Sequence, residues 1–150
     1  MTGMGWVADI HRSLHSPHML VLAVSRFDAD PDRVSNILDL APTFVARRGE
    51  ISQQSGRAYS TNLWNLDAHA ERLSSGTEHA TGLAALLELL SGREDRFARL
   101  REEVQPESVT IYGGLYVDQE EQCGVWLDPA EMRVLVNCKV GWGLDIFANE

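Results

Sequence analysis

Ser108-Val-Thr-Ile-Tyr-Gly-Gly-Leu-Tyr116, the polar joint Asp118-Gln-Glu-Glu121 and Gly124-Val-Trp-Leu127 form the stretch whose reading decides the fold. Two β-rich runs held apart by so short a polar link predict an antiparallel hairpin over residues 108–117 and 122–127. Gly113-Gly114 inside the first run predicts a bulge. Directly behind, Asp128 can cap a helix, Pro129 suits its first turn, and Glu131 is placed to close a capping box. Met132, Leu135 and Val136 are the expected buried face of that helix. Leu144-Asp-Ile-Phe147 ends the chain as a last strand.

Upstream, the same grammar recurs. Met19-Leu-Val-Leu-Ala-Val24 is a short apolar run that suits a strand buried on both faces. Asp30 as N-cap and Pro31 at the first helical position open a helix whose apolar face is Val34, Ile37 and Leu38, and Pro42 prevents its continuation. Residues 41–58, with Gly49, Gly56 and several Ser and Gln, read as loop. Tyr59 to Leu66 is the second strand candidate, around Trp64. Ser75 and Glu78 have capping-box spacing, and Leu83, Leu86, Leu87 and Leu90 then fall at i, i+3, i+4 and i+7. Phe97, Leu100 and Val104 continue the stripe, Gly92 weakens its middle enough to split it in two, and Pro106 ends it.

The order β-α-β-α-β-β-α-β predicts a single α+β domain over residues 18–150, with a mixed or antiparallel sheet and helices packed on it. A ferredoxin-like plait is the first arrangement and a less regular α+β sandwich the second. Trp64, Leu83, Leu87, Leu90, Trp126, Leu135 and Ile146 are expected in one core. Residues 1–17 read as a flexible N-terminal extension.

A chain of 150 residues with 44% hydrophobic and 23% charged residues is an ordinary length and composition for one soluble domain. The net charge of −9 argues against nucleic acid, whose phosphates need Lys and Arg, and against an anionic membrane surface. No apolar run approaches the roughly 20 residues of a membrane span. The opening Met1-Thr-Gly-Met-Gly lacks the basic and apolar segments of a secretory leader, so a cytoplasmic, reducing compartment is expected. Cys123 and Cys138 form neither a disulfide framework nor CxxC zinc spacing, and the buried-thiol reading is taken for both.

The order of motifs is similar to that of a bacterial family known as domain of unknown function 4279. The resemblance rests on Asp30-Pro-Asp-Arg-Val-Ser-Asn-Ile-Leu38, on Pro42 through Arg48-Gly49-Glu50, and on Leu63-Trp64. It resumes at Leu127-Asp-Pro-Ala-Glu131 and Gly143-Leu-Asp-Ile-Phe147, spanning about residues 18 to 148. Phe147 stands where Tyr is common, so any role of a hydroxyl there is absent. Cys138-Lys-Val-Gly-Trp142 is unusual before the last strand. The resemblance implies a fold and a bacterial origin, and no activity.

Candidate sites are weighed by their chemistry. His11, His15 and His18 are spaced so that a helix could present them together to Zn²⁺ or Ni²⁺, but Pro17 disfavours that helix, and no metal site is assigned. No Ser lies in a G-x-S-x-G context, and no glycine-rich phosphate or dinucleotide loop is present, so no cofactor and no catalytic residue is assigned and the chain reads as a non-enzyme. Between Pro106 and Glu131 stand Glu107, Asp118, Glu120, Glu121, Asp128 and Glu131, with no Lys or Arg. A protein-binding surface for a basic partner is therefore expected at Asp118, Glu120 and Glu121, with Tyr116 and Trp126 as anchors. The bland alternative for these acids is a solvated turn and a capped helix. The competing function is a small-molecule sensor or enzyme in which Arg47 and Arg48 line a pocket beside Trp64.

Overall fold

The apolar run at 19–24 becomes the central strand of a sheet. In this computed structural model, which describes residues 19–68, 75–118 and 126–149, the chain order is β1 (Met19–Phe27), α1 (Pro31–Leu38), β2 (Phe44–Ala46), β3 (Asn62–Ala68), α2 (Ser75–Leu90), α3 (Glu94–Glu103), β4 (Ser108–Asp118), α4 (Pro129–Cys138) and β5 (Gly141–Asn149). The strands lie side by side as β2-β3-β1-β4-β5. β1 runs antiparallel to both β3 and β4, β2 antiparallel to β3, and β5 parallel to β4. The first four strands, joined β-α-β-β-α-α-β and ordered 2-3-1-4 with every pair antiparallel, form a ferredoxin-like plait. The α4–β5 unit then adds one parallel strand outside β4 and makes the sheet mixed.

Alternation along the strands assigns the two faces. Leu20, Leu22 and Val24 of β1 stand level with Ala68, Leu66 and Trp64 of β3, and Leu22 and Val24 with Ile111 and Val109 of β4. Those rows meet Val34, Ile37 and Leu38 of α1, Leu83, Leu86, Leu87 and Leu90 of α2, and Phe97 and Leu100 of α3 in one core. Gly92, at φ +83°, supplies the left-handed residue that separates α2 from α3, as its position in the leucine stripe predicts. Both Asp-Pro helix starts form: Asp30 accepts from Asp32 N at 2.8 Å, and Asp128 and Glu131 close a reciprocal capping box.

Several expectations are corrected. Trp126 is 88% exposed and Ile146 58% exposed, so neither is core. Trp126 lies outside any strand, and β4 is flanked by both β1 and β5 over Thr110–Gly114, the part that residues 126–127 would have to reach in a hairpin; residues 122–125 lie outside the described residues. Burial falls along the edge strand β5 from Trp142, which packs on the core, to Ile146. On α4 the inward face is Val134, Leu135 and Cys138, while Met132 and Val136 point outward. The periodicity had a second solution one residue away, and the thiol supplied its last position. Gly113-Gly114 keeps register with both neighbours; the bulge lies instead in β1, where Arg26 at φ 59° shifts the pairing between Ser25 and Phe27. The loop at 41–58 contains the three-residue β2, and the strand around Trp64 begins at Asn62 rather than Tyr59. The N-terminal extension, with the three histidines, lies outside the described residues.

Candidate functional site

All four helices pack on one face of the sheet; among the described residues the other face carries no helix. Register places one row across it as Phe44, Asn65, Ala23, Thr110 and Gly141, and an adjacent row as Asp67, Val21, Tyr112 and Gly143. Tyr112 lies against Gly143: a Cβ built there would approach Tyr112 Cδ2 to 3.1 Å. The Tyr112 hydroxyl donates to the Asp145 carboxylate, one step further along β5 on the same face. Partial burial, with that carboxylate behind it, pushes the Tyr112 phenol up to about 12. Ser108 and Thr110 hydroxyls bond to one another at 3.0 Å. At the opposite side of the face Phe44 meets Tyr59, ring centroids 6.5 Å apart, because the turn around the Ile51–Ala58 bridge folds Tyr59 back.

Asn65 is the discordant residue of this face. It is 5% exposed, and its side-chain oxygen has no hydrogen-bond partner. Leaving a buried acceptor unmatched costs about 1–3 kcal/mol. Its polar neighbour Thr43 does not help, since the Thr43 hydroxyl and amide both donate to the Asn65 backbone carbonyl, at 3.3 and 2.8 Å.

The arginines and Trp64 are placed apart. Trp64 has no exposed surface; it lies on the helix side, with Nε1 donating to Ser35 Oγ at 2.9 Å, and so lines no open groove. Arg47 pairs with Asp30 and Asp32 at 3.3 and 3.4 Å, and Arg48 with Asp28 at 3.7 Å, all at the surface. The Asp32 amide, with Arg47 behind it, holds the Asp30 carboxyl below its ordinary value. Asn62 ties this loop to the domain, accepting from Arg48 N at 2.7 Å and donating to Ala29 O at 2.7 Å.

At the acidic end, Tyr116 and Asp118 are the last residues of β4, level with Phe147 and Asn149 of β5; Glu120 and Glu121 lie outside the described residues. Trp126 stands exposed just before the Asp128 cap, whereas Glu107 lies at the opposite end of β4, where it pairs with Arg26 at 3.5 Å. Several cations elsewhere are engaged with backbone: Arg93 and Arg96 donate to the Leu38 and Ile37 carbonyls that end α1, and Arg101 to the Lys139 carbonyl after α4.

The family described as Domain of unknown function (DUF4279) matches residues 16–149. The chain belongs to this family. No curated protein and no solved structure matches it. In this DUF4279 chain the terminal Gly143-Leu-Asp-Ile-Phe147 motif acquires a physical reason: Gly143 makes room for the Tyr112 ring, Asp145 accepts the hydrogen bond from its hydroxyl, and Phe147 Cε2 lies 3.5 Å from a Cβ built on Gly114. The sequence signal for this pair was the spacing Gly143–Asp145, which puts both on one face of a strand. Its partner Tyr112 could not be named without the register.

Cys138 is a buried free thiol whose Sγ donates to Leu90 O at 3.4 Å, and burial pushes it up to about 11. Cys123 lies outside the described residues. Among the described residues no group of three or more His, Cys, Asp or Glu could hold a metal ion, and no helix is long and apolar enough to cross a membrane.

Proposed function

We propose that the chain is a non-catalytic module that binds a basic protein through its acidic end. The observation that carries the reading is Trp126, 88% exposed beside the acidic stretch from Glu107 to Glu131. Met132 and Val136, one helical turn apart on α4, are also uncovered, Val136 at 70%. Ile146, past the middle of β5, is a further exposed large apolar side chain in the same α4–β5 unit. Large uncovered apolar side chains rimmed by one sign of charge are a usual composition for a protein-binding surface. Asp128 and Glu131 are committed to the cap and Glu107 to Arg26, so we assign steering to Asp118, Glu120 and Glu121, with Tyr116 and Trp126 as anchors.

The test starts from partners isolated from the native cell and measures their binding kinetics at several salt concentrations. Changing Asp118, Glu120 and Glu121 to Ser should slow association and flatten its salt dependence, whereas Trp126→Ala should speed dissociation. Unchanged partners with unchanged salt sensitivity would leave the acidic segment a solvated turn.

A further inference from the structure

The outer side of α4 complements itself when the helix is turned end for end. Asp128, Met132, Val136 and Lys139 fall at i, i+4, i+8 and i+11 and are all exposed, an acid at one end, a base at the other and two apolar side chains between. Leu135 and Cys138 hold the other side of the helix in the core, with the Cys138 thiol on the Leu90 carbonyl of α2. We propose that this stripe is the contact between two copies of the chain, paired antiparallel about a two-fold axis that also brings their β5 strands edge to edge. A two-fold contact requires a self-complementary surface. Turned about its midpoint at Val134, the stripe sets Met132 against Val136 of the second copy and Lys139 beside Asp128 of the second copy. The cap engages Oδ1 of Asp128 and leaves its charge, and among the described residues Lys139 forms no ion pair.

The strand next to the helix is open in the same way. β5 is an edge of the sheet, and among the described residues no strand lies on its outer side. Long edge strands are ordinarily blunted by Lys, Pro or a bulge. The nine residues of β5 include no Lys, Arg or Pro, and they keep register with β4 throughout. Ile146, on the helix side of β5 by alternation from Trp142, is exposed. Antiparallel pairing of β5 with its copy joins two five-stranded sheets into one and sets both α4 helices on the same face. At about 4.8 Å per strand, helices centred over the two β4–β5 pairs stand about 10 Å apart, the usual spacing of packed helices. A ten-residue helix, about 15 Å long, falls short of the ~800 Å² per partner of a standard interface, and the β5 edge extends it. This contact goes beyond the acidic-end reading, whose anchors Tyr116 and Trp126 lie outside the stripe.

Sedimentation equilibrium of the full chain, from micromolar to millimolar concentration and with no partner present, should show monomer and dimer in exchange. Val136→Glu should weaken the dimer about tenfold or more, because it buries an unpaired carboxylate against Met132 of the second copy. Val136 is exposed, so the variant should keep the native circular dichroism. Ile146→Lys should weaken the dimer through the strand edge instead. Asp128→Asn keeps the cap acceptor and should cost about threefold, but nothing further in a Lys139→Gln chain. Orientation is read by oxidative cross-linking in a Cys123→Ser background, where a mixture of Met132→Cys and Val136→Cys chains should join unlike chains in preference to like. The proposal is overturned by a chain that stays monomeric at every concentration, which leaves the stripe to the basic partner, by a dimer that Val136→Glu leaves intact, or by preferential joining of like chains. Self-association is measured on the chain alone and partner binding through Trp126→Ala, so either reading can fail without the other.

Discussion

The Trp64 indole donates to Ser35 Oγ at 2.9 Å, joining the middle of β3 to the middle of α1 inside the core. A tryptophan can be closed off completely only when its N–H finds an acceptor. Ser35→Ala should therefore destabilise the chain by about 1–3 kcal/mol, the cost of an orphaned indole N–H. Trp64→Phe should cost at least as much, because it also leaves a void. In urea denaturation the double variant should fall short of the sum of the two, since each single change already breaks the same bond.

Trp126 should behave in the opposite way. With 88% of its surface exposed, Trp126→Ala should leave stability within about 0.5 kcal/mol of the native chain. The same change should remove a component of the tryptophan fluorescence that acrylamide quenches readily. A large loss of stability would place this side chain against the domain after all.

Tyr112 makes the stability depend on alkaline pH. In the folded chain its phenol is pushed up to about 12, against an ordinary value of 10.0. Between those values the unfolded chain ionises Tyr112 while the folded chain keeps the proton, so unfolding releases a proton and stability falls as pH rises. Below that window the contribution is intact. Denaturation midpoints measured below pH 10 and again between 10 and about 12 should show the fall, and Tyr112→Phe should flatten it.

Gly143→Ala tests the same contact by crowding. The added methyl would stand 3.1 Å from the Tyr112 ring, so the ring must shift and its bond to Asp145 weakens. A tyrosine titration followed by ultraviolet absorption should then show the Tyr112 phenol moving back toward its ordinary value. Gly49→Ala makes a control at a site with nothing within 4 Å. Its own strain, from φ +90°, is remote from Tyr112 and should leave that titration unmoved.

Cys138 should be chemically silent in the native state. Its thiol is buried on Leu90 O and pushed up to about 11, so little thiolate is present at neutral pH. In a Cys123→Ser background, reaction with a disulfide reagent should proceed only as fast as the domain opens, and denaturant should release it.

What the chain disclosed of itself follows the range of the interactions. Asp30-Pro31 and Asp128-Pro129 announced both helices because a cap is satisfied within three residues. The leucines from Leu83 to Leu90 announced a buried stripe, and Gly92 its break, for the same local reason. Trp126 misled because an aromatic in a β-rich run normally packs inward; it sits instead outside any strand, exposed ahead of the Asp128 cap. β2 was hidden by being three residues long. The acceptor on Asn65 and the Tyr112–Asp145 pair were unreadable because each depends on register between strands far apart in sequence. The family implied by the motifs was confirmed over residues 16–149.

The position of β1 has a consequence for how the protein comes to be made. Among the described strands it precedes the others in the chain and is synthesised before them, yet Val24 pairs on one side with Trp64 and on the other with Val109. An apolar strand therefore waits through most of synthesis before its second edge is covered, a long-range closure that slows folding and exposes it to aggregation. α4 and β5 follow β4 in the chain and add one further strand outside it, leaving both edges of β1 already paired. A nascent chain stalled after β3 should thus remain a chaperone client, while one released beyond β4 should leave that dependence behind.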